Sequence, residues 1–188
     1  MTQRPLQTER LDLIPLSDED LPDEVELDSD PEVTHYIWGR ARTRAEVEES
    51  HLQRMDRGRQ VDGLGFWAAR LRDDPARPFV GWWILAPLHG PDQGDWRKTP
   101  GVAELGYRLH RRHWRQGFAS EGSRELLRHG FQDLGLDRVI AQAMSDNAGS
   151  RAVMESVGLT YVRSWDGDDG REVEYALTRE EWLSHSLG

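Results

Sequence analysis

Apolar residues recur along the chain at two periods, and each period predicts its own kind of element. Leu11 and Leu13, with Pro15, alternate against polar positions, so Glu9 to Leu16 reads as a strand. The polar, acidic stretch after Ser17 suggests a first short helix. A second runs from about Thr43, a fitting N-cap, to Arg57 and stops at Gly58. Gly65 to Leu71 and Phe79 to Leu88 read as two strands around a turn over Asp73 to Pro78. A polar loop from His89 to Pro100 leads to a strand from Val102 to Leu109.

The most regular helical stripe lies between Ala119 and Leu134. Ala119, Gly122, Leu126, Leu127, Gly130, Phe131 and Leu134 fall at spacings of three and four, with charged residues between them and Gly135 as a stop. A strand from Arg138 to Met144 follows. Asn147 caps a short helix to about Ser156, with Gly158 beyond it. Strands over Leu159 to Trp165 and Arg171 to Leu177 flank the turn-forming run Asp166 to Gly170. The order is strand, two helices, three strands, helix, strand, helix, two strands: an α/β domain with a mixed sheet. No repeat or long linker divides residues 1–188, so a single domain is expected.

Composition narrows the chemistry. The chain has no cysteine, which excludes disulfides, thiolate metal sites and a covalent cysteine mechanism. Its start, Met1 to Leu16, carries no apolar leader, and the longest nearly apolar run, Phe79 to Leu88, is far short of the ~20 residues that span a bilayer. A cytoplasmic protein without membrane contact is expected. The net charge of −10 argues against a general nucleic-acid binder and favours a cationic partner. Against that background, Arg108 to Arg115 reads RLHRRHWR, with no acid. The run is either a seat for a polyanion or a solvated basic face. His110 and His113 have a metal-like spacing but no nearby carboxylate ligand, so no metal is expected.

The basic run ends in Trp114-Arg115-Gln116-Gly117-Phe118-Ala119-Ser120, where a strand passes through a glycine turn into a helix. Free N–H groups and the helix dipole converge at such a start and suit a phosphate. Gln116-Gly117-Phe118-Ala119 resembles the pyrophosphate loop of the GNAT acetyltransferases, Gln/Arg-x-x-Gly-x-Gly/Ala. Further matches are Glu104-Leu105-Gly106-Tyr107, Asn147-Ala148-Gly149-Ser150-Arg151 and Gly158-Leu159, with Thr8-Glu9-Arg10-Leu11 and Asp30-Pro31-Glu32-Val33 before them. They follow the order of the RimJ/RimL-like branch, the N-terminal acetyltransferases of ribosomal proteins. Departures from the pattern are Trp114 at the first loop position, Arg115 where glycine is frequent, and Leu159 for the usual phenylalanine. None removes a backbone donor.

The resemblance implies a mixed, mostly antiparallel sheet of six to seven strands with a central splayed parallel pair and about four helices. It implies acetyl-CoA as cosubstrate and direct transfer to an amine, which is a peptide N-terminus or a small amine. The alternative is a CoA-binding module without catalysis. Val102–Leu109 and Arg138–Met144 would part to admit the pantetheine, with Tyr107 and Leu109 beside it and the pyrophosphate on Arg115, Gln116, Gly117, Phe118, Ala119 and Ser120. Glu104 would be the base, acting through water, or else a structural carboxylate holding the strand or Arg108. Ser150 would be the general acid or a capping serine, and Asn147 would orient the pantetheine, cap its helix, or do both. Tyr36 and Trp38 would wall the acceptor site, whereas Trp67, Trp82 and Trp83 pack within the sheet. A homodimer is left open.

Overall fold

A computed structural model describes residues 3–89 and 95–186. Part of the expected polar loop, residues 90–94, lies outside the described residues. Strands β1 (Leu6–Gln7) and β2 (Leu11–Pro15) open the chain, followed by helices α1 (Leu21–Asp28), α2 (Pro31–Trp38) and α3 (Arg44–Gly58). Then come β3 (Gly65–Leu71), β4 (Phe79–Pro87), β5 (Val102–Leu109), α4 (Phe118–Arg128) and β6 (Arg138–Met144). Helix α5 (Ala148–Ser156), β7 (Thr160–Gly167), β8 (Gly170–Thr178) and α6 (Arg179–Ser186) complete it.

One sheet holds all eight strands in the order β1-β2-β3-β4-β5-β6-β8-β7. Every neighbouring pair is antiparallel except β5 and β6. The mixed sheet with one parallel pair agrees with expectation; among the described residues it has eight strands rather than six or seven, with six α-helices rather than about four. The strand expected over Glu9–Leu16 is β2, and β1 pairs with it from the preceding stretch because Thr8 turns the chain: its amide donates to Leu11 O and its hydroxyl accepts from the Leu11 amide. Helix α2 lies between the first expected helix and the one from Thr43, where no element was expected. Asp30 caps it by accepting from the Glu32 amide at 3.0 Å, and Pro31 fills the first turn, where a missing N–H costs nothing.

Alternation sorts the strands onto two faces. On one, Leu11, Leu13, Trp67, Trp83, Leu85, Leu105 and Val139 pack with Phe118, Leu126, Leu127 and Phe131 and with Met154 of α5. Gly122 allows this close approach of α4, since a Cβ there would meet the Trp83 indole at 2.5 Å. On the other, Phe66, Trp82, Ile84 and Ala86 pack against Leu27 of α1, Val33 of α2 and Met55 of α3. Strand β4 is covered on both sides and buried along its whole length, which is why it reads as an unbroken apolar run. The expected helix over Ala119–Leu134 is α-helical to Arg128 and closes as a π-helical turn, His129–Asp133.

Candidate active site

The parallel pair is short. Strand β5 pairs with β6 at Val102↔Arg138, Ala103↔Val139 and Glu104↔Ile140, and no further. Beyond Glu104, β5 stays with β4 as far as Leu109, while β6 stays with β8 as far as Met144. A cleft therefore opens between them from Glu104 onward, bordered by strand edges that could pair with a peptide-like chain.

At the far end of β5 the chain turns into α4. Arg115 (φ 58) and Gly117 (φ 83) both adopt left-handed backbone, which turns successive peptide planes. Glu121 N, bonded to Gly117 O at 2.9 Å, makes the first helical bond. Among the described residues, the amides of Arg115 to Ser120 find no acceptor in a side chain or in the backbone. Such a set of free N–H groups fits a pyrophosphate, and glycine at 117 adopts the left-handed φ of 83 that the turn requires. Coenzyme A would be held here by backbone rather than by the Phe118 side chain, which is buried and lies edge-on to His113. The Ser120 hydroxyl is shared with Ser156 at 2.8 Å, and Ala119 O accepts from the Trp83 indole at 3.4 Å.

The basic run does not act as one patch. Arg108 is buried on the opposite face, where its guanidinium pairs with Asp28 at 2.7 Å. Arg111 and Arg112 lean on Asp30 and Glu26, so Arg115 is the arginine left exposed at the loop without an acidic partner among the described residues. Burial, reinforced by Arg112, pushes both His110 and His113 below the ordinary imidazole value, which keeps them neutral near pH 7. Trp114 donates its indole N–H to Leu109 O at 2.9 Å, so one lone pair of that carbonyl is already engaged.

The proposed catalytic groups stand on the two faces of the sheet where the strands part. Glu104 turns toward α3, and its Oε2 accepts from Arg57 Nη2 at 2.5 Å while Arg57 also donates to Pro87 O. Its carboxylate partner is thus Arg57, not Arg108. Its side chain is 17% exposed, and Oε1 accepts no bond from the described residues. On the other face, Tyr107 reaches α5, donating to Ser150 Oγ at 3.4 Å. Burial pushes the Tyr107 phenol up, against the opposing effect of that bond. Asn147 caps α5 through Oδ1, which accepts from the Ser150 amide at 3.0 Å. The cap engages only that amide; the Ser150 hydroxyl takes no part in it.

Tyr36 and Trp38 lie on α2, 40% and 37% exposed. Two guanidinium groups sit against the Trp38 ring, Arg42 at 4.1 Å and Arg108 at 4.6 Å from its centroid. Arg57 and Arg10 were not anticipated from the sequence. Arg57 occupies the last turn of an exposed-looking helix, and nothing local marks its partner 47 residues away. Arg10 belongs to a stretch that matched the family pattern, but its contacts with α4 are equally non-local.

The sequence matches the family model described as "Acetyltransferase (GNAT) domain" over residues 10–160. It is 38% identical over 190 aligned positions to the FsC-acetyl coenzyme A-N(2)-transacetylase of Aspergillus fumigatus, spanning 96% of this chain and 79% of that one. The fold superposes on a GNAT-family acetyltransferase from Bacillus anthracis with a TM-score of 0.76 at 21% identity, covering 94% and 99% of the two chains. It also superposes on RimL, a ribosomal L7/L12 alpha-N-protein acetyltransferase solved with coenzyme A, with a TM-score of 0.74 at 16% identity and 93% and 97% coverage. No helix among the described residues is long and apolar enough to cross a membrane. The strand that parts from its parallel neighbour, the amide-lined loop and these matches agree: the chain belongs to the GNAT acetyltransferase family and is an acetyl-CoA-dependent N-acetyltransferase.

Proposed function

We propose that the protein transfers acetyl directly from acetyl-CoA to an α-amine, either a peptide N-terminus or a small amine of similarly low basicity. The observation that carries this reading is the cleft opening at Glu104, with a carboxylate on one face of the sheet and the Tyr107–Ser150 hydroxyls on the other. When bound, acetyl-CoA supplies an activated acyl group. Residues Arg115 to Ser120 hold the pyrophosphate through their amides, and the edges of β5 and β6 flank the pantetheine. Glu104, with Oε2 fixed by Arg57, takes the proton of the attacking amine on Oε1 through a water. Ser150 donates a hydrogen bond from its hydroxyl to the sulfur, which leaves as a thiolate. With no cysteine in the chain, no thiol competes as an acyl carrier. Tyr36, on the exposed side of α2, borders the acceptor, while Trp38 holds that helix against Arg108.

The preference for an α-amine follows from the base. An α-amino group titrates near about 7.7–8.0, so an appreciable share is neutral at neutral pH, whereas a lysine side chain near about 10.4 is almost wholly protonated there. One carboxylate acting through water is a weak base and suits the former. The relative of known name points the same way, since N2 is the locant that amino-acid nomenclature gives an α-nitrogen. Likeness to RimL extends the acceptor class to peptide N-termini. The test is release of free thiol from acetyl-CoA with two peptides, one bearing a free N-terminus and no lysine, the other N-blocked and bearing lysine. Faster turnover of the first between about pH 6 and pH 9 is expected. Preference for the blocked lysine peptide throughout would refute the proposal.

A further inference from the structure

Arg10 sits in the turn between β1 and β2, yet its side chain is bound up with the loop and first turn of α4. Nη1 donates to Gln116 O at 3.0 Å, Nε donates to Glu121 Oε2 at 2.7 Å, and Nη2 pairs with the same carboxylate at 2.6 Å. The guanidinium also lies over the Phe118 ring, 4.2 Å from its centroid. The carboxylate is held in turn. Its Oε1 accepts from the Thr8 hydroxyl at 2.5 Å and from the Arg10 amide at 2.9 Å. Burial would raise the Glu121 carboxyl, but these bonds together hold it below the ordinary range, so it stays charged opposite Arg10.

We infer that Arg10 is a positioning residue of the coenzyme A site, fixing the direction in which the Gln116–Gly117 peptide presents its N–H. The inference rests on the reading that residues 115–120 hold the pyrophosphate. In a trans peptide the C=O and N–H point in opposite directions, and no cis peptide occurs among the described residues. With Gln116 O turned onto Arg10, the Gly117 N–H is turned away from it. Gly117 has no side chain to hold that plane, and at φ 83 it can rotate where another residue could not. Without the guanidinium, the carbonyl is free to swing toward the phosphates, which it would repel. Orientation rather than attraction is the effect, because Glu121 already balances the charge of Arg10. Lysine would keep the charge but cannot fork between Gln116 O and Glu121 while lying flat on Phe118.

The experiment is calorimetric titration of the whole chain with coenzyme A, in parallel with steady-state kinetics and melting of each variant. Arg10→Lys should weaken coenzyme A binding by about tenfold, the scale of a lost charge-assisted hydrogen bond. The loss should be equal at about 0.05 M and about 0.5 M salt, whereas that of Arg115→Met should fade at the higher value. Turnover at saturating acetyl-CoA should stay within about twofold of wild type, as expected of a group that acts on binding alone. If Arg10→Lys binds as wild type does, or recovers in high salt, the inference is overturned. Gly117→Val separates the two readings. Normal binding there refutes the loop itself, while loss there with normal binding by Arg10→Lys refutes only the role of Arg10. Should Arg10→Lys fold poorly, Glu121→Gln loosens the same guanidinium without removing it. A weakening of a few-fold supports the inference, and unchanged affinity overturns it.

Discussion

Ser150 has two polar groups, and they serve different neighbours. Its amide completes the Asn147 cap, and its hydroxyl accepts a bond from Tyr107. With one lone pair taken, the hydroxyl's own proton is directed elsewhere, and the cleft between β5 and β6 lies beside it. The phenol stays protonated across the working pH range because burial raises its pKa, so it serves as a fixed donor and not as a proton source. Ser150→Ala should therefore leave the cap and the melting temperature nearly intact while lowering kcat by about tenfold. The loss is modest because a thiol with a pKa near about 8.5 already leaves readily. Tyr107→Phe should reproduce much of that loss, and the double variant should be no slower than Ser150→Ala alone. Additive losses would place the two hydroxyls in separate roles.

At the scale of elements, α4 is the piece that turns a sheet into a cofactor site. Its first turn supplies the amides, and its seating fixes where they point. That seating depends on Gly122 lying flat under Trp83, where a Cβ would come within 2.5 Å of an indole that is itself fully buried. A side chain at 122 gains a little helix propensity over glycine, about 0.4 kcal/mol for valine, but overpacking a close contact costs about 1–3 kcal/mol. Packing wins, so Gly122→Val should lower the unfolding free energy by about 2 kcal/mol, read from the urea midpoint at unchanged slope. A midpoint equal to wild type would mean that the helix shifts without cost and that its seating is not what places the loop.

Across the whole molecule, the two histidines of the basic run couple the site to stability. Both have folded pKa values lowered by burial and by Arg112, below the ordinary value near about 6.5 that the unfolded chain shows. Below that pH the unfolded state binds more protons than the folded one, so stability rises with pH there and falls as pH drops from about 6.5. Above it the histidines contribute no slope. The urea midpoint should therefore fall between about pH 7 and pH 5.5, and His110→Gln should flatten part of that limb. An unchanged midpoint in the wild-type chain over this interval would contradict the assignment.

Sequence alone determined the elements whose signals are local. The strands Gly65–Leu71, Val102–Leu109 and Arg138–Met144 appear with the bounds that alternation gave, and the Thr43 and Asn147 caps sit where the side chains announce them. The family pattern around Gln116–Ala119 pointed to the loop, since a glycine turn before a helix is a local property of the backbone. Helix α2 was equally local, with Asp30 and Pro31 at its start. What the tertiary structure decided are the partners: Arg57 for Glu104, Arg10 for Gln116 and Glu121, Asp28 for Arg108, and Tyr107 for Ser150. Each joins residues 43 to 111 positions apart, where no periodicity reaches. A charge in the sequence says only that a partner is needed if the group is buried; which partner it finds depends on how the helices lie on the sheet.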